Sequence, residues 1–213
     1  MSPKRVLLVD SYDSFTENVA HLLASVGAHL DVLSIDNPQL GVECLRGYDA
    51  IVLGPGPGAP REGDRLSEIV SWTLNVHRPL FGICLGMQAI ARHYGARIVR
   101  APRPVHGELS TIVHDGRGVF SGIPSPLRGM RYHSLCVEQK TVPSTLRANA
   151  RSEDGVIQGI VGVSQPVCGL QFHPESFLYE HGAALLANFL LTVQHRRIAA
   201  RKSERAKQYA THG

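Results

Sequence analysis

Leu80-Phe81-Gly82-Ile83-Cys84-Leu85-Gly86 is the stretch on which the reading of this chain turns. Four uncharged residues form a strand-like run, Cys84 follows at once, and the stretch from there to about Tyr94 is predicted to be helical. The pattern is glycine, any residue, nucleophile, any residue, glycine, set between a strand and a helix. A residue on so sharp a turn sits in strained backbone, and flanking glycines relieve the crowding. The turn would raise Cys84 above the carboxyl end of a strand, where α/β sheets place their sites. The helix N-terminus favours the thiolate, the reactive form. The backbone N–H of Leu85 is available to a developing oxyanion. Taken alone, the stretch also fits a buried cysteine beside two packing glycines.

Working outward towards the N-terminus, the same alternation recurs. Val6 to Val9 is a short apolar run ending in Asp10 and predicts a buried strand. Ser14 with Glu17 three residues later has the spacing of a capping box, and Phe15, Val19, Leu22, Leu23 and Val26 recur at helical spacing up to Gly27. Strands are predicted at Leu30–Ile35 and Ala50–Leu53, and a helix over 65–76. Such β–α–β–α order with short connections predicts an α/β fold, a mostly parallel sheet with helices on both faces. From about residue 97 the texture changes to short β-rich runs at 97–100, 109–113, 157–163 and 167–172, which predict an antiparallel extension of the sheet. A last helix is predicted over 181–195, with Leu185, Leu186, Phe189 and Leu190 on its apolar stripe. No internal repeat or linker divides the chain, so one domain is read over 1–195, followed by a basic tail over 196–213.

A cysteine nucleophile needs a base, and the base needs an orienting group. Gln171-Phe172-His173-Pro174-Glu175-Ser176 supplies both at the end of a predicted strand. In extended chain, residues i and i+2 point the same way, so His173 and Glu175 can share one side. The carboxylate would fix the imidazole tautomer and stabilise the imidazolium. Gly54-Pro55-Gly56-Pro57-Gly58 follows the third strand as a stiff, slim loop, and the N–H of Gly56 could be a second oxyanion donor. It is not a phosphate cradle, because neither GxxxxGK[ST] nor GxGxxG is present. His106 and His133 adjoin turn-like segments and are candidates to line a site. The other histidines are predicted to be surface or satisfied side chains.

Composition narrows the function classes. No apolar run reaches the roughly 18 residues a membrane helix needs, and no signal peptide precedes Val6, so a cytoplasmic protein is expected. The net charge of +4 is concentrated at the end: after His195 there are six basic residues and one acid, which leaves −1 for the rest. A near-neutral body with a basic tail argues against nucleic acid as a partner. Cys44, Cys136 and Cys168 have no metal-type spacing and are expected to be small buried hydrophobes. No metal site is expected.

Together these motifs resemble the class I (triad-type) glutamine amidotransferases, and within them the small subunits of anthranilate and aminodeoxychorismate synthases. The resemblance runs from Val6 to about Leu191. It rests on Asp10-Ser11-Tyr12-Asp13-Ser14-Phe15-Thr16, Gly54–Gly58, Gly82–Gln88, Arg131-Tyr132-His133-Ser134-Leu135 and Gln171–Ser176. It implies a flavodoxin-like amidotransferase fold. It also implies Cys84 as nucleophile, His173 as general acid/base, Glu175 as its orienter, and Gly56 and Leu85 as oxyanion donors. Gln88 and the backbone of Ser134 and Leu135, with Gly58 nearby, would hold the α-amino and α-carboxylate ends of L-glutamine. No cofactor is implied for this chain; the implied partner is a chorismate-utilising large subunit that uses Mg²⁺. The Leu186-Ala187-Asn188-Phe189-Leu190 ending leans towards the aminodeoxychorismate branch. The family more often has Asn at Ser11, Ser at Gly54 and Lys at Glu108. The alternatives are a free-standing γ-glutamyl hydrolase and a non-catalytic regulatory subunit.

Overall fold

Alternate residues of one strand face opposite sides, and in this chain both sides are apolar. Lys4–Asp10 forms β1, in which Val6 to Val9 are wholly buried. Val6 and Leu8 join one core and Leu7 and Val9 the other, as expected of a strand with helices on both faces. The computed structural model describes residues 4–177 and 180–193. After β1 come α1 (Thr16–Ser25), β2 (Ala28–Ser34), α2 (Val42–Arg46), β3 (Ala50–Leu53), α3 (Arg65–Asn75), β4 (Leu80–Ile83) and α4 (Leu85–His93). The β-rich part is β5 (Ile98–His114), β6 (Leu127–Val137), β7 (Leu146–Ser152), β8 (Ile157–Gly162) and β9 (Val167–Leu170). A helical run over 182–193, here α5, closes the described chain.

The nine strands form one sheet in the order β2-β1-β3-β4-β9-β8-β7-β5-β6. Strands β2, β1, β3, β4 and β9 pair parallel, whereas β9–β8, β8–β7, β7–β5 and β5–β6 pair antiparallel. α1 and α5 pack their apolar stripes on one face, through Val19, Leu23, Leu185, Leu186 and Phe189. α3 and α4 cover the other through Leu66, Ile69, Val70, Met87 and Ile90.

The structure departs from the sequence-based expectations at several points. The run 167–172 is expected in the antiparallel extension, but β9 pairs parallel with β4 on one side and antiparallel with β8 on the other. It is the strand on which the two halves meet. The runs 97–100 and 109–113 belong to one strand, β5, interrupted by two register shifts. β6 and β7 are absent from the sequence-based expectations, because their inward positions include Arg131, His133, Asn149 and Ser152. Those buried polar residues break the apolar alternation on which strand prediction rests. Ser14 does not cap α1. The N-cap position is Phe15, with no side-chain cap. Instead the Asp10 carboxylate accepts from Thr16 Oγ1 at 2.6 Å and from the Tyr12 N–H at 2.9 Å, and Asp13 accepts from the Phe15 N–H. A carboxylate at the end of β1 is a stronger acceptor than a serine hydroxyl. Cys44 is half-buried rather than buried, whereas Cys136 and Cys168 are in the core. The basic tail, 196–213, lies outside the described residues.

Candidate active site

The elbow around Cys84 is tight enough to require its glycines. Cys84 has φ +51° and ψ −103°, a left-handed φ that costs a non-glycine residue energy. A Cβ on Gly82 would stand 2.5 Å from the Gly86 carbonyl carbon, and one on Gly86 would stand 2.3 Å from the Leu53 carbonyl oxygen of β3. Only bare backbone lets β4, α4 and β3 approach so closely. Cys84 then starts α4, and the first intrahelical bond runs from the Gln88 N–H to the Cys84 carbonyl at 3.1 Å. The Leu85 N–H precedes that bond and has no partner within the helix. A Cβ on Gly56 would meet Ser11 Cβ at 2.6 Å and Leu85 Cδ2 at 2.7 Å. The Gly54–Gly58 loop is therefore seated against the elbow, with Gly56 and Leu85 side by side.

Strand pairing brings the base to the nucleophile. Ile83 of β4 pairs with Leu170 of β9, and the Cys84 N–H donates to the Leu170 carbonyl at 2.8 Å. The chain continues through Gln171 and Phe172 to His173, whose N–H donates to the Met130 carbonyl of β6 at 2.9 Å. His173 Nδ1 lies 2.6 Å from Glu175 Oε1, and both side chains are almost completely buried. The segment after His173 is not extended: it turns, with the Ser176 N–H over the His173 carbonyl. The pair meets across this turn rather than along a strand. Gly182 at the start of α5 makes room for it, since a Cβ there would stand 2.0 Å from the Pro174 carbonyl oxygen.

His173 Nε2 makes no full hydrogen bond with a described residue, yet Cys84 is close enough to act on it. Burial alone would lower the pKa of this imidazole. Cys84 and then Glu175, each by hydrogen bonding and by charge, outweigh burial and push it up to about 10. A protonated ring beside a cysteine sulfur is the state a thiolate–imidazolium pair requires. Phe15 and Tyr132 flank the ring at centroid distances of 5.9 and 5.2 Å, and His106 stacks edge-on behind Tyr132 at 5.4 Å. Burial raises the Cys136 thiol and pushes Cys168 up to about 12, so neither competes as a nucleophile.

A cleft of about 680 Å³ is lined by Gly58, Ala59, Arg100, Ala101, Pro104, Ser134 and Leu135. Three of the sequence-predicted substrate-binding residues, Gly58, Ser134 and Leu135, thus share one wall system. Gln88, one turn of α4 beyond Cys84, reaches it: its Nε2 donates to the Leu135 carbonyl at 3.2 Å and to Gln171 Oε1 at 3.1 Å. Another cleft of similar size lies at the far end of α4, by Arg92, His93 and Arg97, away from the sulfur. Two residues of the site are not among the sequence-predicted ones. Gln171 donates to Cys84 Sγ at 3.5 Å, and Arg100 puts a cation in the cleft. Gln171 is legible in principle, lying two residues before His173 and so on the same strand face; Arg100 carries no local signal.

His133, a candidate to line the site, is buried behind the Leu135 carbonyl and is not among the residues that line the cleft. Arg131 Nε donates to its Nε2 at 3.0 Å, and its Nδ1 lies 2.9 Å from the Leu135 carbonyl. Nε2 must accept, so Nδ1 carries the proton. Burial, and after it the Arg131 guanidinium, push the His133 pKa down to about 4, and the ring is neutral at pH 7. Arg131 is 1% exposed and pairs through both terminal nitrogens with Asp154 Oδ2 at 3.0 Å. Among the described residues no group of three or more histidine, cysteine or acidic side chains could hold a metal ion.

A cysteine on a strained strand–helix turn, with a buried histidine–carboxylate pair at the end of the neighbouring strand, is equipped for nucleophilic acyl transfer. The chain belongs to the class-I glutamine amidotransferase family, whose model matches residues 7–193. It is 42% identical over 195 residues to anthranilate synthase component 2 of Azospirillum brasilense, which spans 92% of this chain and 100% of that protein. It is 44% identical over 186 residues to aminodeoxychorismate synthase component 2 of Klebsiella aerogenes, with 87% of this chain and 98% of that protein covered. The crystal structure of a protein described as a GMP synthase subunit, from Thermoplasma acidophilum, superposes with a TM-score of 0.83 at 25% identity, over 94% of this chain and 99% of that one.

Proposed function

We propose that this chain hydrolyses L-glutamine to glutamate and passes the ammonia to a chorismate-binding partner subunit. The observation that carries the reading is the buried 2.6 Å contact of His173 and Glu175, set beside Cys84 by the β4–β9 pairing. In the proposed reaction, Cys84 Sγ attacks the side-chain amide carbon of glutamine. The carbonyl oxygen takes up the electron pair and faces the N–H groups of Gly56 and Leu85. The carbon–nitrogen bond breaks as His173 gives its proton to the departing nitrogen, and ammonia leaves a γ-glutamyl thioester. His173 then takes a proton from water, the hydroxide displaces the thiolate, and glutamate is released. Gln88, Ser134 and Leu135 bind the amino-acid end in the cleft, with Gly58 at its edge. Gln88 suits the α-amino group: its two N–H donors are engaged and its carbonyl oxygen is left as acceptor.

The two component 2 relatives support a separate large subunit, and Mg²⁺ is assigned to that partner. Tyr12 and Phe177 are strongly exposed aromatic side chains. Exposed aromatic side chains suit a protein partner, and a covered route would spare ammonia, which in bulk water is protonated and lost as a nucleophile. A cytoplasmic setting fits cysteines that form no disulfide among the described residues, and no described helix is long and apolar enough to cross a membrane. The test is glutamate release from L-glutamine, alone and with chorismate-utilising large subunits plus chorismate. Stimulation with 4-amino-4-deoxychorismate or anthranilate formed establishes the amidotransferase role and names its branch. High activity indifferent to every partner establishes a free-standing γ-glutamyl hydrolase instead. No glutamate release under any condition establishes a regulatory subunit.

A further inference from the structure

We infer that His133 is a positioning residue for glutamine: as a neutral imidazole it clamps the Leu135 carbonyl through Nδ1–H and thereby sets the Ser134–Leu135 wall of the cleft and the Gln88 amide. This rests on the reading of that wall as the glutamine site.

The Leu135 carbonyl has two lone pairs, and both are engaged. One accepts from His133 Nδ1 at 2.9 Å and the other from Gln88 Nε2 at 3.2 Å. Because peptide groups are planar, holding this oxygen fixes the Leu135–Cys136 peptide, and so anchors the end of the Ser134–Leu135 segment that lines the cleft. The same oxygen orients Gln88. With Nε2 donating to Leu135 and to Gln171 Oε1, the Gln88 amide cannot flip without losing two bonds. Gln171 then donates to Cys84 Sγ. One carbonyl therefore connects the cleft wall to the elbow.

The clamp works only with one tautomer, and the surroundings select it. Arg131 Nε has a hydrogen to give and nothing to accept with, so His133 Nε2 must be the bare nitrogen. Gln158 Nε2, 3.4 Å from the same nitrogen, is another donor. Arg131 is in turn fixed by Asp154 and by Ser110 Oγ at 3.1 Å. Asp154 is held by Ser152 Oγ and the Val156 N–H. A set of buried polar residues on β5, β6, β7 and β8 thus ends at one proton, on Nδ1 of His133, pointed at the Leu135 oxygen. No part of it touches the reacting atoms.

Two isosteres separate this role from plain packing. Asparagine places a donor about where Nδ1 stands and leaves Arg131 to water or Gln158. Glutamine places an acceptor about where Nε2 stands and keeps Arg131 satisfied, but presents no donor to Leu135. L-Glutamine binding is measured by calorimetry on the full chain carrying Cys84→Ala, so that no turnover intervenes, and on the same protein with His133→Asn or His133→Gln added. KM and kcat are measured for each His133 variant with Cys84 intact. The expected result is that His133→Gln weakens glutamine binding and raises KM roughly tenfold, with kcat changed much less. His133→Asn should stay within about threefold of the parent, at comparable melting temperatures. Equal losses in both variants, or none in His133→Gln, would overturn the inference while leaving the glutamine site in place. If Cys84→Ala itself binds no glutamine although its fold is intact, the reading of the site fails, and the inference with it.

Discussion

Replacing Glu175 by glutamine removes one charge from a buried pair and changes almost nothing in shape. In the intact protein the His173 imidazole is raised from an ordinary 6.5 to about 10 against the pull of burial. That rise is equivalent to about 5 kcal/mol of preference for the protonated ring. Cys84 and Glu175 both contribute to it, by hydrogen bonding and by charge, and a charge-assisted hydrogen bond such as that to Glu175 contributes about 2 kcal/mol. Losing it lowers the population of the protonated ring beside the Cys84 sulfur and leaves that ring less able to take and return a proton. On that basis kcat/KM for glutamine falls roughly 30-fold near neutral pH. The loss deepens as pH rises, because the unassisted ring deprotonates sooner. The assay is glutamate release across pH 6–9 for Glu175→Gln and parent protein, both with the stimulating partner, and with melting temperatures to confirm folding. A variant within twofold of the parent at every pH would refute the electrostatic role assigned to Glu175.

Cys84→Ala should abolish glutamine-dependent product formation, by roughly a thousandfold or more, while a partner supplied with ammonium salt still makes product; residual glutaminase would sink the covalent mechanism. Gly86→Ala, whose Cβ would press on the Leu53 carbonyl oxygen at 2.3 Å, should lower stability by about 3 kcal/mol, read as a fall in the urea midpoint. Gly56→Ala pushes its loop away from Leu85 and should cost roughly 100-fold in kcat with little change in the urea midpoint; an unaffected kcat would remove Gly56 from the oxyanion site. Asp154→Asn leaves the buried Arg131 guanidinium without its counter-charge and should destabilise by about 3 kcal/mol. The pH dependence of stability follows from the sign of the His173 shift. A ring whose folded pKa of about 10 exceeds its unfolded 6.5 stabilises the fold fully below pH 6.5 and loses that contribution as pH rises to 10. The stability advantage of the parent over Glu175→Gln should therefore shrink across that window, and an advantage that grew with pH would contradict it.

Much of the architecture was legible because the relevant forces are local. Strands Ala50–Leu53 and Leu80–Ile83 have the bounds expected from their apolar runs, since a strand buried on both faces carries that signal in every residue. Gly82 and Gly86 were legible as relief for a strained turn, and His173 and Glu175 as a pair. What sequence could not decide was where β9 lies. An apolar run of four residues is the same whether its neighbours are parallel or antiparallel, and only the assembled sheet puts the end of β9 beside the end of β4. Proximity of His173 to Cys84 is a consequence of that pairing and of nothing local. Likewise β6 and β7 were illegible because their inward residues are Arg131, His133, Asn149 and Ser152, of which Arg131, His133 and Ser152 look like surface until Asp154, Ser110 and Gln158 are seen to pair with them. Local sequence thus specified the strands buried on both faces, the elbow and the chemical types at the site, because these depend on residues a few positions apart. The tertiary structure decided which ends meet, which tautomer His133 holds and how far the imidazole of His173 is raised. Those depend on burial and charge contributed by residues tens of positions away.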